Sequence, residues 1–296
     1  MVTSTRAASP ATGLAIVPAL LRLVRFSHTI FALPFALAGA LMAELAFPGV
    51  SRLFWILIAM VGARTTAMAL NRLVDARIDA LNPRTADREL PAGRVTRPQV
   101  ALLSIAGIAA LLVAVSQLPE ITWYLWPIPV ALFAIYPYAK RFTWACHLIL
   151  GITIGLAPVG GWIAVTGSFG LGGILLGLGV ATWIAGFDVI YALLDVDFDR
   201  AHGIHSLPAR FGTRLALSAA RALHALTIAL LLGAGAASGA NGWYTAGVLL
   251  CGAVLVYEHA TADPRDERSI QRAFGSANML IAVVLLVGVI LAVLTA

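Results

Sequence analysis

RLFWILIAMVGARTTAMALNRLVDARID, residues 52–79, joins two kinds of sequence. Between 53 and 70 the only charged side chain is Arg64. A membrane-crossing helix needs about 20 mainly apolar residues, at about 1.5 Å each, to cover about 30 Å of hydrocarbon. Residues 52–70 are therefore predicted to span a membrane. The next nine residues change character. Asn71, Asp75 and Asp79 are spaced i, i+4, i+8. At about 100° per residue each step turns only about 40°, which lines the three on one helix face. Carboxylates stacked one turn apart repel on a bare helix unless a cation lies between them. An apolar span ending in such a stripe predicts a helical membrane bundle with a cation site at one membrane surface.

The rest of the chain fits that class. Of 296 residues 60% are hydrophobic and 11% charged, with a mean hydropathy of +0.91, whereas an ordinary globular domain is about a quarter charged. Apolar runs near 27–47, 52–70, 98–117, 122–138, 147–166, 171–191, 215–235, 241–258 and 277–295 give about nine candidate spans. The expected fold class is all-α, a polytopic bundle forming a single domain over 1–296, because no polar segment is long enough for a soluble one. A transmembrane barrel is excluded, since the runs lack two-residue alternation. Residues 1–20 read as a flexible tail leading into an interfacial helix, with no small-residue cleavage site before Arg22 and Arg25. Cys146 and Cys251 lie in different apolar runs, which supports neither a disulfide framework nor a thiolate metal site.

A net charge of +6 would suggest nucleic acid in a soluble chain, but here placement matters more than size. Seventeen of the 20 basic residues fall in the N-terminal segment and every second connection, and the opposite connections hold only Arg52. The positive-inside rule puts the basic side in the cytoplasm, with the N-terminus inside and the C-terminus outside. A bacterial cytoplasmic membrane is the expected location. Twelve of the 14 acids gather in 71–94, 188–199 and 258–267, all on that same side. Asp263, Asp266 and Glu267, set among Pro264 and arginines, read as a solvated loop.

The 188–199 group repeats the opening pattern. Tyr191, Asp195 and Asp199 are again i, i+4, i+8, at the end of the run 171–191. ELPAGRVT at 89–96 is echoed by SLPARFGT at 206–213. These matches predict a weak internal repeat relating about 52–117 and 171–235, with carboxylate pairs on opposite walls of a cavity facing the cytoplasm. Asp197 and Arg77 lie about 200° from their stripes and are solvent-facing spacers. Paired hard oxygen ligands suit Mg2+, which completes its octahedron with water and substrate phosphate. Arg25, Arg64, Arg72, Lys140 and Arg141 sit around the same openings. Carboxylates, Mg2+ and cations together suit a diphosphate leaving group, whose departure is helped by neutralising its charge.

NRLVDARID and YALLDVDFD resemble the two aspartate-rich motifs of the UbiA family of intramembrane prenyltransferases, and NPRTADRELPAGR, YPYAKRFT, GIHSLPARFG and RFSHTIFALPFAL are similar to the family's connecting sequence. The pattern is nearest the 4-hydroxybenzoate polyprenyltransferase type. The resemblance implies a nine-helix bundle around a laterally open cavity, with an isoprenyl diphosphate held by Mg2+ under a cytoplasmic cap. It implies that Asp75, Asp79, Asp195 and Asp199 are the metal-side carboxylates, that Asn71 assists, and that Lys140 and Arg141 grip phosphate. Where the family often has Asp, this chain has Arg72, which suggests direct contact with phosphate.

Tyr191, which opens the second stripe, is a candidate substrate-binding residue. Arg64 or Arg25 is the candidate cation for an acceptor carboxylate, with snorkelling to the interface as the competing role. Tyr136 and Tyr138 are candidates to line the cavity and stabilise the prenyl cation with a ring face, with interfacial anchoring as the competing role. Asp188, deeper in the membrane, is a candidate proton acceptor or partner of an intramembrane arginine. His147 and His224 read as packed or interfacial side chains, and His205, in the loop over the mouth, as a residue that touches phosphate or caps the loop. The expected partners are isoprenyl diphosphate, an aromatic acid and membrane lipid, with no nucleic acid and no obligate protein partner. The alternatives are the same chemistry on a naphthoate or haem, or a divalent-cation transporter.

Overall fold

The computed structural model describes residues 16–24, 29–264, 266–272 and 277–296. Among these there is no β-strand, and the helices are α1 Ile16–Leu23, α2 Thr29–Met42, α3 Val50–Leu81, α4 Arg97–Val115, α5 Ile121–Leu125, α6 Pro127–Ala139 and α7 Cys146–Thr166. They continue as α8 Leu171–Tyr191, α9 Val196–Ala201, α10 Leu207–Phe211, α11 Thr213–Ser238, α12 Gly242–Thr261, α13 Glu267–Arg272 and α14 Asn278–Leu294. A helix stands at each predicted apolar run. Five described helical stretches, 50–81, 97–115, 146–166, 171–201 and 213–238, are long and apolar enough to cross a membrane by length and composition.

α3 has 32 residues, about 48 Å at the α-helical rise, so it outruns a hydrocarbon layer of about 30 Å by roughly three turns. Those turns carry the Asn71–Asp79 stripe. The run 122–138 is not one helix: α5 ends at Leu125 and α6 restarts with Pro127 at its first turn. Proline has no N–H to extend α5, and it is tolerated where a new helix begins.

α2, α7, α8, α11, α12 and α14 pack in sequence and close back on α2. Their centre is filled by Phe35, Trp183, Leu176, Tyr244 and Leu285. Trp183 packs edge-on to Phe35 at 5.2 Å, and its indole N–H donates to Asn278 Oδ1 at 2.8 Å. On the other side α3 packs along α4, and α6 bridges α3 and α7. This half is hollow. A cavity of about 310 Å³ lies among α3, α4, α5, α6 and α7, lined by apolar side chains together with Arg64, Thr122, Trp126, Tyr136 and Thr153.

Small residues set the spacing of the wall. A Cβ on Gly161 of α7 would run into the Ala36 carbonyl of α2, and one on Gly39 of α2 into the Pro158 carbonyl of α7. Such backbone approach is how membrane helices gain packing where lipid supplies no hydrophobic drive. α1 packs Ala19 and Leu23 against Ala69, Val95 and Val100, and so joins the ends of α3 and α4.

Candidate functional site

The cavity-lining face of α3 passes through Met60, Arg64, Ala67 and Met68. Arg64 and Asn71 are seven residues apart, which returns to the same helix face within about 20°. The cavity stripe therefore continues as Asn71, Asp75 and Asp79. α6 does the same: Pro129, Phe133 and Tyr136 line the cavity, and Lys140, one turn on, reaches the acids. Tyr136 is within electrostatic reach of Arg72, Asp75, Arg64 and Asp188. Tyr138 instead faces outward beneath the Arg141 guanidinium, 4.8 Å from its ring.

Asp75 and Asp79 are buried, at 3% and 4% exposure, so each needs compensation for its lost water. Lys140 Nζ donates to Asp75 Oδ2 at 2.6 Å, and Asn71 Nδ2 donates to the same oxygen at 3.1 Å. Among the described residues Asp75 Oδ1 is buried without a hydrogen-bond partner, with Arg141 Nη2 at 3.6 Å. Arg141 also donates to the Val74 carbonyl at 2.8 Å. Arg88 Nη1 donates to Asp79 Oδ1 and Oδ2 at 2.7 and 2.8 Å. Arg72 is buried, donates to Asn71 Oδ1 at 3.3 Å and lies 3.8 Å from Asp79.

The second motif departs from the predicted single stripe. α8 stops at Tyr191, a 3-10 turn covers Ala192–Asp195, and α9 follows. A 3-10 turn advances about 120° per residue, so four residues rotate the stripe by roughly 80° beyond its α-helical course. Asp195 and Asp199 consequently meet different partners. Arg84 donates to Asp195 through Nε at 3.0 Å and through Nη2, and Asn82 Nδ2 donates to Asp195 Oδ1 at 2.9 Å. Arg84 Nη1 also donates to the Tyr191 hydroxyl at 2.7 Å. Burial disfavours the Arg84 charge, but the hydrogen bond to Asp195 and the nearby Tyr191 and Asp79 hold its proton above the ordinary arginine range. Asp199 is buried and accepts from Ser206 Oγ at 2.7 Å. Asp197 and Arg77 are exposed, as spacers should be.

Arg84, Arg88, Asn82 and Ser206 were not singled out from sequence. The four belong to the connections after each motif, whose excess of arginine over free acid was the available signal. Arg25 lies outside the described residues. Asp188 pairs with His147, Nδ1 to Oδ2 at 2.7 Å, and not with an arginine. The reason is register: His147 opens α7 beside α8 at that depth. The His205 ring is exposed, and its backbone N–H donates to the Lys140 carbonyl at 2.7 Å.

Among the described residues no three His, Cys, Asp or Glu side chains converge as a ready-made metal cage. The acids are paired, hard and interleaved with cations. That set fits a cation that takes one or two carboxylates and fills its shell with water and phosphate, and Asp75 Oδ1 is an acceptor with capacity to spare.

The sequence profile of the UbiA prenyltransferase family matches residues 32–294. The chain belongs to that family. It is 32% identical over 224 residues, 75% of this chain and 76% of the relative, to the 4-hydroxybenzoate octaprenyltransferase of Thiobacillus denitrificans. The apo structure of a UbiA homolog from Aeropyrum pernix superimposes with a TM-score of 0.81 at 35% identity, over 90% of this chain and 98% of that one. A UbiA homolog from Archaeoglobus fulgidus bound to GPP and Mg2+ shares the fold at a TM-score of 0.67 and 19% identity, over 94% of this chain and all of that one. The protein is thus an integral membrane prenyltransferase of the UbiA family.

Proposed function

We propose that the chain transfers a polyprenyl group from an isoprenyl diphosphate to the ring of a 4-hydroxybenzoate-like acceptor, in ubiquinone or menaquinone biosynthesis. One observation carries the reading: the cavity-lining faces of α3 and α6 run without a break into Asp75, Asp79 and Lys140, and Arg84 and Asn82 tie Asp195 to the same place. An apolar chain in the cavity would present its charged end to those groups. The relatives' names support the acceptor class, and the Archaeoglobus fulgidus homolog's GPP and Mg2+ support the donor class and the metal.

Asp75, Asp79, Asp195 and Asp199 would hold Mg2+, with Asn71 orienting Asp75 directly and Tyr191 acting on Asp195 through Arg84. A bound Mg2+ supplies charge neutralisation for the departing diphosphate. Lys140, Arg141 and Arg72, preorganised around the acids, add positive charge where negative charge grows at the bridging oxygen. The allylic C–O bond breaks, the diphosphate keeps the electron pair, and the ring carbon ortho to the phenol attacks the allylic cation. Loss of that carbon's proton restores aromaticity. Arg64, inside the cavity, is suited to an acceptor carboxylate, and the Tyr136 ring to shielding the cation. The gathering of basic residues on this side supports a position of these groups at the cytoplasmic face of a bacterial inner membrane. The helix–acidic loop–helix units 52–117 and 171–235 derive from one duplicated unit, which the corresponding packing of α3 with α4 and of α8 with α11 supports.

The test is mass spectrometry of products from purified protein in liposomes, given Mg2+, prenyl diphosphates of several lengths, and hydroxybenzoate, naphthoate and haem acceptors. Prenylated hydroxybenzoate with release of pyrophosphate is the expected product. Product only with another acceptor corrects the substrate, and cation flux without any transfer would sink the enzyme reading.

A further inference from the structure

We propose that Asp188 and His147 form a positioning pair that holds the second acidic motif, at Asp199, ready for a divalent cation and a diphosphate. This rests on the function proposed above. His147 is buried at the start of α7. Its Nδ1 lies 2.7 Å from Asp188 Oδ2, and its Nε2 accepts the backbone N–H of Leu207 at 3.2 Å. A ring that accepts at Nε2 carries its proton on Nδ1 and donates it to Asp188, so the backbone donor fixes the tautomer. Leu207 begins α10, and its N–H is one of the amides a helix start leaves without an internal partner. At a buried position that donor needs an acceptor, and His147 provides it.

Ser206, one residue earlier, accepts from Ala209 N at 3.4 Å and donates to Asp199 Oδ2 at 2.7 Å. The turn is therefore pinned at adjacent residues, by His147 on its backbone and by Asp199 on its hydroxyl. His205 completes the link, because its N–H donates to the carbonyl of Lys140, whose ammonium holds Asp75. One three-residue segment thus sets the relative placement of carboxylates from both motifs, and the Asp188–His147 pair anchors it from within the membrane. An ionisable pair at that depth is costly, and such residues mark functional machinery. Partners of metal-binding carboxylates orient them, and removing one typically costs about 10- to 100-fold in metal affinity.

Mn2+ binding, followed by electron paramagnetic resonance with a thiolo analogue of farnesyl diphosphate present, tests the pair. His147→Ala is expected to weaken Mn2+ binding about tenfold or more and to lower kcat while leaving the acceptor KM unchanged. Asp188→Asn, which still accepts from Nδ1, should lose less. Ser206→Ala keeps His147 and is expected to match the His147→Ala loss. The double variant should lose no more than the worse single, because both act through one turn. If His147→Ala fails to fold, Ser206→Ala and Asp188→Asn carry the test. Unchanged Mn2+ affinity in these variants, or fully additive losses, overturns the proposal. Asp75→Asn separates the two ideas: if it also keeps full Mn2+ affinity, the metal site itself is wrong.

Discussion

Asp195 receives the Arg84 fork and the Asn82 amide at once, joining residues 111 and 113 positions apart in the chain. A planar guanidinium can make that contact and reach the Tyr191 hydroxyl; an ammonium is a point charge and cannot. Arg84→Lys is therefore expected to loosen the segment 82–96, seen as faster limited proteolysis there, with diphosphate binding weakened several-fold. Unchanged cleavage would show that the fork does not order the cap. Glu258 presents the opposite case: it is 1% exposed, and neither carboxylate oxygen has a hydrogen-bond partner among the described residues. Burying such a group unsatisfied costs about 1–3 kcal/mol, so Glu258→Met should raise the melting temperature in detergent. A lowered one would mean that the carboxylate has a partner in use. The placing of Asp75, Asp79 and Lys140 in line with the cavity was legible in the sequence because helical spacing and neighbouring apolar runs fix where they lie, whereas for Asp195 and Asp199 the same spacing predicted one stripe that the 3-10 turn breaks. Arg84, Arg88 and Ser206 were not legible, since their partners depend on how a connection folds back.

The elements repeat that division. Apolar length alone predicted where α3, α4, α7, α8 and α11 would stand, and the excess length of α3 is what lifts its acids out of the hydrocarbon. Hydropathy did not reveal the break between α5 and α6 or the 3-10 turn after Tyr191, because each is a backbone event that leaves composition unchanged. Gly161 shows how closely the cavity wall is built. Its α-carbon faces the Ala36 carbonyl, and a methyl there would force α2 and α7 apart. Gly161→Ala is expected to destabilise the protein by about 1–3 kcal/mol, measured as a lower melting temperature in detergent. An unshifted melt would show that the two helices can separate freely at that point.

At the scale of the molecule the two halves differ in use. α8, α11, α12 and α14 close on α2 and α7 around a filled core, whereas α3 to α7 enclose the cavity. Repeat-like sequence suggested two equivalent walls; which half would be hollow depended on packing that no local pattern encodes. The placement of basic residues suggested orientation, and Cys146 offers a check. It lies at the start of α7, half-buried, close to the His205 carbonyl at 3.4 Å. With Cys251 replaced by Ala, Cys146 should react with a membrane-impermeant maleimide in inside-out vesicles and be protected in intact cells; the reverse pattern would invert the topology. The joining of the two acidic motifs into one Mg2+–diphosphate site is tested most directly by equilibrium binding of radiolabelled farnesyl diphosphate to the purified protein. Binding is predicted to require Mg2+ and to be lost in Asp75→Asn and in Asp195→Asn alike. Full affinity without Mg2+, or in either variant, would contradict it.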